Sequence, residues 1–142
     1  KNLLYNIHIH KNYHHSFKFL VRDYECDYQG VVNNAVYQNY LEHARNELFR
    51  SLGINFAKMH AQGKDVVITK VELNYKYPLR SCDEFVVKTR VTQQGKIRFV
   101  FEQDIFRLPD EKIILNATVT LVWLQSGRPA LPAEFAAAFA KL

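Results

Sequence analysis

"ECDYQGVVNNAVYQNYLEHAR", residues 25–45, runs from an acid through a glycine-bearing turn into a helical pattern, and its reading decides the fold. Val36, Tyr37, Tyr40, Leu41, Ala44 and Leu48 recur at three and four residues, so they form one apolar face of a helix. Asn33 or Asn34 is the expected N-cap and Gly53 the expected stop. The turn needs Gly30 and the helix start favours asparagine, but neither needs Asp27. A helix N-terminus presents unsatisfied N–H groups and about half a positive charge. It can therefore hold an anion, or an oxyanion that develops during acyl transfer. A carboxylate facing the same volume could attack an acyl carbon or activate a water. The plainer reading is that Asp27 caps the turn, since aspartates near helix starts are common.

Outward from this stretch the pattern changes period. "SFKFLVRDY" (16–24) sets Phe17, Phe19 and Val21 against Lys18 and Arg22, as in a half-buried strand. After the helix, "FAKMHAQG" (56–63) reads as a short helical piece ending at Gly63. Four strand-like segments follow. In "DVVITKVELNYKYP" (65–78), Val67, Thr69, Val71, Leu73, Tyr75 and Tyr77 are expected on one face, opposite Lys70, Glu72 and Lys76. "EFVVKTRVT" (84–92), "IRFVFEQDIFRL" (97–108) and "KIILNATVTLVWL" (112–124) are joined by the turns "QQGK" and "PDE". Links this short exclude crossovers and favour antiparallel pairing, so a four-strand meander is expected. Phe135 and Phe139 mark a short terminal helix. The architecture is α+β, one long antiparallel sheet wrapped around one central helix. Val86, Val100 and Phe106 fall on the outer face, where they suggest a subunit interface.

Bulk properties agree with one domain over 1–142, with 1–14 as a flexible N-terminal segment. At 142 residues, 48% hydrophobic and 23% charged, the chain can bury an ordinary core and is not of disordered composition. No apolar run approaches the roughly 20 residues of a membrane-spanning helix, and the first residues lack a secretory-signal pattern. Cys26 and Cys82 could form one disulfide at most, lack Cys-x-x-Cys spacing, and are expected as reduced thiols. A net charge of +5 favours an anionic partner.

"DYECDYQGVVNNAVYQNYLEHARNELFRSLGI" (23–54) resembles the hotdog-fold thioesterases of the 4-hydroxybenzoyl-CoA thioesterase-like group. The shared features are Asp27, Gly30, Val31, Val32, Tyr37, Ala44 and Arg45. The likeness continues through "ITKVELNYKYPLRSCDEFVVKTRV" (68–91) and "LNATVTLVWL" (115–124), so it covers nearly the whole chain. "RDYECDYQGVVNNAVY" (22–37) is most similar to the single-hotdog acyl-lipid thioesterases of plants and their bacterial relatives. The resemblance implies hydrolysis of acyl-CoA or acyl-ACP thioesters, with Asp27 as nucleophile or general base. It further implies that the backbone N–H of Asn34 polarises the carbonyl and that Gly30 allows the tight turn. An acyl tunnel is expected to draw on Tyr37, Tyr40, Leu41 and Tyr75, although core packing would equally explain most of these. Arg80, Lys88, Arg90 and Arg98 are candidates to meet an anionic carrier, or else solvated strand residues. A homodimer or homotetramer with the cleft between subunits is implied, with no cofactor and no metal. The expected place is the cytoplasm, or the plastid stroma where a transit peptide has been removed. Two departures stand out. Many bacterial members carry histidine at the Asn34 position, and double-hotdog plant acyl-ACP thioesterases carry it at the Val31 position. Asp27 is therefore left without that helper.

Other features rank lower. His8, His10, His14 and His15 lie close together, but no cysteine or acid completes a zinc set, and a frayed tail or N-terminal strand is the expectation. Cys26 is expected to be structural, pointed away from Asp27 by strand alternation. His43 is expected as a packing residue of the central helix. Among rival readings, a hydratase would need His-Phe-Pro or Asn-Pro-x-His contexts, which are absent. A non-catalytic acyl-CoA or acyl-ACP binding module would keep a tunnel without depending on Asp27. Single-stranded nucleic-acid binding ranks last, because the strands show no exposed stacking motif.

Overall fold

The computed structural model describes residues 12–142; His8 and His10 lie outside them. Strand β1 (His15–Leu20) leads through a 3-10 turn (Asp23–Glu25) to helix α1 (Val36–Ser51) and the short α2 (Phe56–Ala61). Strands β2 (Lys64–Tyr75), β3 (Glu84–Gln94), β4 (Arg98–Leu108), β5 (Lys112–Gln125) and β6 (Arg128–Pro129) follow, then α3 (Ala133–Phe139). The long strands form one antiparallel sheet in the order β1-β3-β4-β5-β2, with β6 beside β5. The sheet holds α1 against its inner face, the expected hotdog arrangement.

Periodicity explains why α1 sits there. Tyr37, Tyr40, Leu41, Ala44, Leu48 and Phe49 are all buried, facing Phe85, Val87, Phe101 and Ile105 of the sheet. Ala44 is fully covered, its small side chain admitting the helix to the sheet. Next to it Arg45 is buried too. Its Nη1 donates to Gln103 Oε1 (3.0 Å), and Gln103 Nε2 donates to Leu41 O and Thr89 Oγ1. Burial brings the Arg45 pKa down to about 10. The helix ends near the expected glycine: Gly53 has φ +79° and its N–H donates to Arg50 O.

Three expectations are corrected. The four later strands are not a simple meander, because β2 pairs with β5 rather than β3. The eight residues 76–83 are too long for a hairpin, and they carry the chain past the β4–β5 turn, burying Leu79 on the way. Secondly, a bulge between Ile68 and Lys70 breaks the alternation of β2. Val71, Leu73 and Tyr75 stay on the inner face opposite Val119, Ala117 and Leu115, while Val67 is turned to the outer face opposite Val122. Thirdly, Val86, Val100 and Phe106 are only 5%, 9% and 5% exposed, so the outer sheet face is not an open apolar patch. Exposed apolar side chains gather instead on β2 and just beyond it: Val67, Ile68, Val71, Tyr75 and Tyr77.

Where the chain enters β1 it is fastened to the sheet. Tyr13 donates its hydroxyl proton to Asp104 (2.6 Å), and His14 accepts from Val91 N–H through Nδ1 (3.0 Å). His14 and His15 are both held below the ordinary histidine value, first by burial. Arg90 adds to the shift at His14, and Glu47 partly opposes it at His15. A depressed folded pKa means the unfolded chain takes up the proton more readily. The stabilisation is therefore present above the unfolded value of about 6.5 and lost as pH falls through it. The thermal midpoint should drop between about pH 7.5 and about pH 5, and drop less in a His14→Gln/His15→Gln variant. Parallel curves for the two proteins would clear these histidines of the effect.

Candidate active site

The turn before α1 and the 76–83 crossover meet at one end of the sheet. Cys26 bridges Val32, and Val31 bridges Arg80. Within the turn, Asp27 N–H donates to Val31 O (2.9 Å) and Gly30 N–H donates to Asp27 O (3.0 Å). Gly30 has φ +78°, and nothing lies within 4 Å of where a Cβ would stand. Its requirement is thus the left-handed backbone rather than close approach.

The Asp27 carboxylate is exposed. Its Oδ1 accepts from Gln29 N–H (2.8 Å), with Val31 N–H at 3.4 Å, so one oxygen braces the turn. Among the described residues, Oδ2 has no partner. Beside this turn lies a cavity of about 200 Å³ lined by Val31, Asn34, Tyr37, Tyr75, Lys76 and Tyr77, together with Val32 and Pro78. Asp27 does not line it, but Val31, to which Asp27 is hydrogen-bonded, does.

The helix opening differs from the expected cap in a way that bears on chemistry. Ala35 is the N-cap, with no side-chain cap. Asn33 stands two residues earlier, its Oδ1 accepting from Ala35 N–H (3.2 Å) and its carbonyl from Val36 N–H (2.9 Å). Among the described residues nothing accepts from Asn34 N–H, and Asn34 lines the cavity. Tyr75 donates its hydroxyl proton to Asn34 O (3.3 Å), and Tyr37 accepts from Leu79 N–H (3.0 Å). Burial pushes the Tyr37 pKa up, so its phenol stays protonated. The site thus offers an unpaired amide donor at a helix start, two oriented phenols, and a carboxylate on the adjoining turn.

Of the other expected residues, Leu41 is core, and Tyr40 faces a different cavity beside β1. Arg80 is at the site, its backbone N–H donating to Asp83 (2.8 Å). Arg90 points to the outer face of β3, six residues along the strand, so roughly 20 Å from that end of the sheet. Lys88 lies over the Phe106 ring on the same outer face, and Arg98 begins β4 at the far end. The base actually beside the cavity is Lys76, which the strand pattern disguised as an ordinary outward lysine. Pro78 was the available signal that the strand ends there and the chain turns inward. Cys26 is pushed up by burial, then by Asp23, Asp27, Glu25 and Asp83, which disfavours a thiolate. A larger cavity of about 470 Å³ lies by Asn46, Arg50 and Asn55–Ala57, away from the Asp27 turn.

An antiparallel sheet folded round a buried helix, with an acid-bearing turn at that helix's start, defines the hotdog class of fold. The thioesterase superfamily model matches residues 29–114, and the chain belongs to that family. It is 46% identical over 112 residues to the acyl-acyl carrier protein thioesterase ATL2, chloroplastic, of Arabidopsis thaliana, covering 79% of this chain and 60% of that one. The chain thus spans about three-fifths of the length of the plant relatives it matches. It is 30% identical to the acyl-CoA thioesterase YbgC of Haemophilus influenzae over 131 residues, covering 87% of this chain and 93% of that one. The solved 1,4-dihydroxy-2-naphthoyl-CoA thioesterase of Synechocystis superposes with a TM-score of 0.83 at 18% identity, over 89% and 96% of the two chains, a likeness of fold. Among the described residues no helix is long and apolar enough to cross a membrane.

Proposed function

We propose that this protein hydrolyses acyl thioesters of coenzyme A or acyl carrier protein to free acid and thiol. The observation that carries this reading is the Asn34 N–H, without an acceptor among the described residues, at a helix start whose Asn34 lines a cavity. An N–H so placed can donate to the carbonyl oxygen as it gains charge. Through its free Oδ2, Asp27 either attacks the acyl carbon and expels the thiolate, leaving an anhydride that water cleaves, or takes a proton from the attacking water as the thiolate leaves. Lys76 and Arg80 meet the anionic carrier. The activities named for the plant and Haemophilus relatives support this choice over a binding module.

The functional unit is a homodimer formed along β2. This strand has 12 residues and, among the described residues, pairs on one side only, so its outer backbone edge is open to a partner. Its inner face carries Ile68, Val71 and Tyr75, each at least 38% exposed because α1 packs over β1 and β3 instead. A second copy laid along this edge covers those side chains and roofs the cavity through Tyr75 and Tyr77. Asp27, exposed in the single chain, is thereby brought into a drier site.

Thiol release should be measured with acyl-CoA and acyl-ACP of graded chain length. Turnover well above the spontaneous rate is expected with at least one carrier. Binding without turnover across the whole series would replace the hydrolase with the acyl-binding module.

A further inference from the structure

We propose that Tyr40 is the wall that limits acyl-chain length, and that the cavity behind it takes the end of longer chains once the wall is opened. The inference rests on the thioesterase reading for the identity of the ligand.

Two cavities flank the start of α1. The first, described above, is lined by Asn34, Tyr37 and Tyr75. The second, about 390 Å³, lies between α1 and β1; Phe17, Phe19, Leu20 and Tyr40 form its apolar part, with Lys18, Arg22 and Glu25 among its polar groups. The Tyr37 and Tyr40 rings lie edge to face, their centroids 6.1 Å apart, and each lines a different cavity. This pair of rings is the partition.

The two rings are held differently. Tyr37 is pinned by the Leu79 N–H. Tyr40 is 4% exposed, packed on Phe85 (4.7 Å between centroids) and Phe19 (5.5 Å), and its hydroxyl makes no hydrogen bond of ordinary geometry. Burial, and then the nearby Glu25 carboxylate, push its pKa up. A buried hydroxyl without a hydrogen bond is uncommon because it forfeits the bonds it made in water. Phenylalanine would fill the core without that cost, but either ring closes the passage. What closes it is the ring's bulk, and a smaller apolar residue there would join the cavities. Phe17, Phe19 and Leu20 give a saturated acyl tail an apolar side to lie on within the second cavity, opposite its polar groups.

The test uses uncleavable S-octyl, S-dodecyl and S-hexadecyl thioethers of coenzyme A, with affinities measured by calorimetry. The parent should favour the shorter chains. Tyr40→Val should move the hexadecyl-to-octyl affinity ratio at least about tenfold toward hexadecyl, whereas Tyr40→Phe should leave it unchanged. Where Tyr40→Val fails to fold, Tyr40→Leu serves, and adding Leu20→Trp to it should restore the short-chain preference by refilling the second cavity. A merely loosened core would not show that reversal. An unchanged ratio in a folded variant overturns the assignment, and so does a parent that binds none of the three. A parent that binds the thioethers and shows the predicted shift, yet releases no thiol from thioesters, would end the hydrolase reading and leave Tyr40 as the length wall.

Discussion

Asp27→Asn is expected to lower thioester hydrolysis at least about a hundredfold while leaving fold and oligomer size intact. Such a loss corresponds to roughly 2.7 kcal/mol of transition-state stabilisation, within reach of one nucleophile or general base. Asparagine is the informative substitution because Asp27 does two things at once. Its Oδ1 accepts from Gln29 N–H, and an asparagine Oδ1 accepts the same bond, so the turn keeps its brace. What asparagine lacks is the charge, and with it the power to attack or to take a proton. Asp27→Ala removes the brace as well, so it should lose activity to the same extent and some stability besides. Full activity in the asparagine variant would show that the carboxylate only shapes the turn. The measurement is kcat/KM by thiol release, with circular dichroism and light scattering as controls.

The second large effect concerns the open edge of the sheet. Val71→Lys should convert the protein to a monomer at micromolar concentration and lower kcat/KM by at least about tenfold. Val71 is 38% exposed on the inner face of β2, so a lysine there meets solvent in the single chain and costs little folding stability. Across a dimer edge the same ammonium would be stripped of water without a partner, at several kcal/mol, enough to disfavour association. Size-exclusion chromatography with light scattering separates the outcomes. A dimer that survives the lysine places the interface elsewhere, and a fully active monomer shows that one chain completes its own site.

Much of this was legible because local rules and tertiary demands coincide. The three-and-four spacing from Val36 to Leu48 names the helix and its buried face. The turns at "QQGK" and "PDE" enforce the β3–β4–β5 hairpins. Where the two conflict, sequence pattern misleads. Strict alternation puts Val67 with Val71, but one extra residue at the bulge reverses the strand's faces, and nothing local in "VVITKV" announces it. An asparagine pair looks like an N-cap, yet the chain leaves Asn34 N–H unpaired and starts the helix after Ala35. Outer-face Val86 and Phe106 look like an interface until their burial is seen.

The sequence alone determined the order of elements, the identity of the central helix and the acid that precedes it, because each is set by contacts between residues near in the chain. Only the tertiary structure decided which strand lies at the edge, which base stands beside the cavity and which tyrosine faces which hollow. Those depend on pairings between residues far apart in sequence, and the pairing is chosen by how the whole sheet closes on its core rather than by any local pattern.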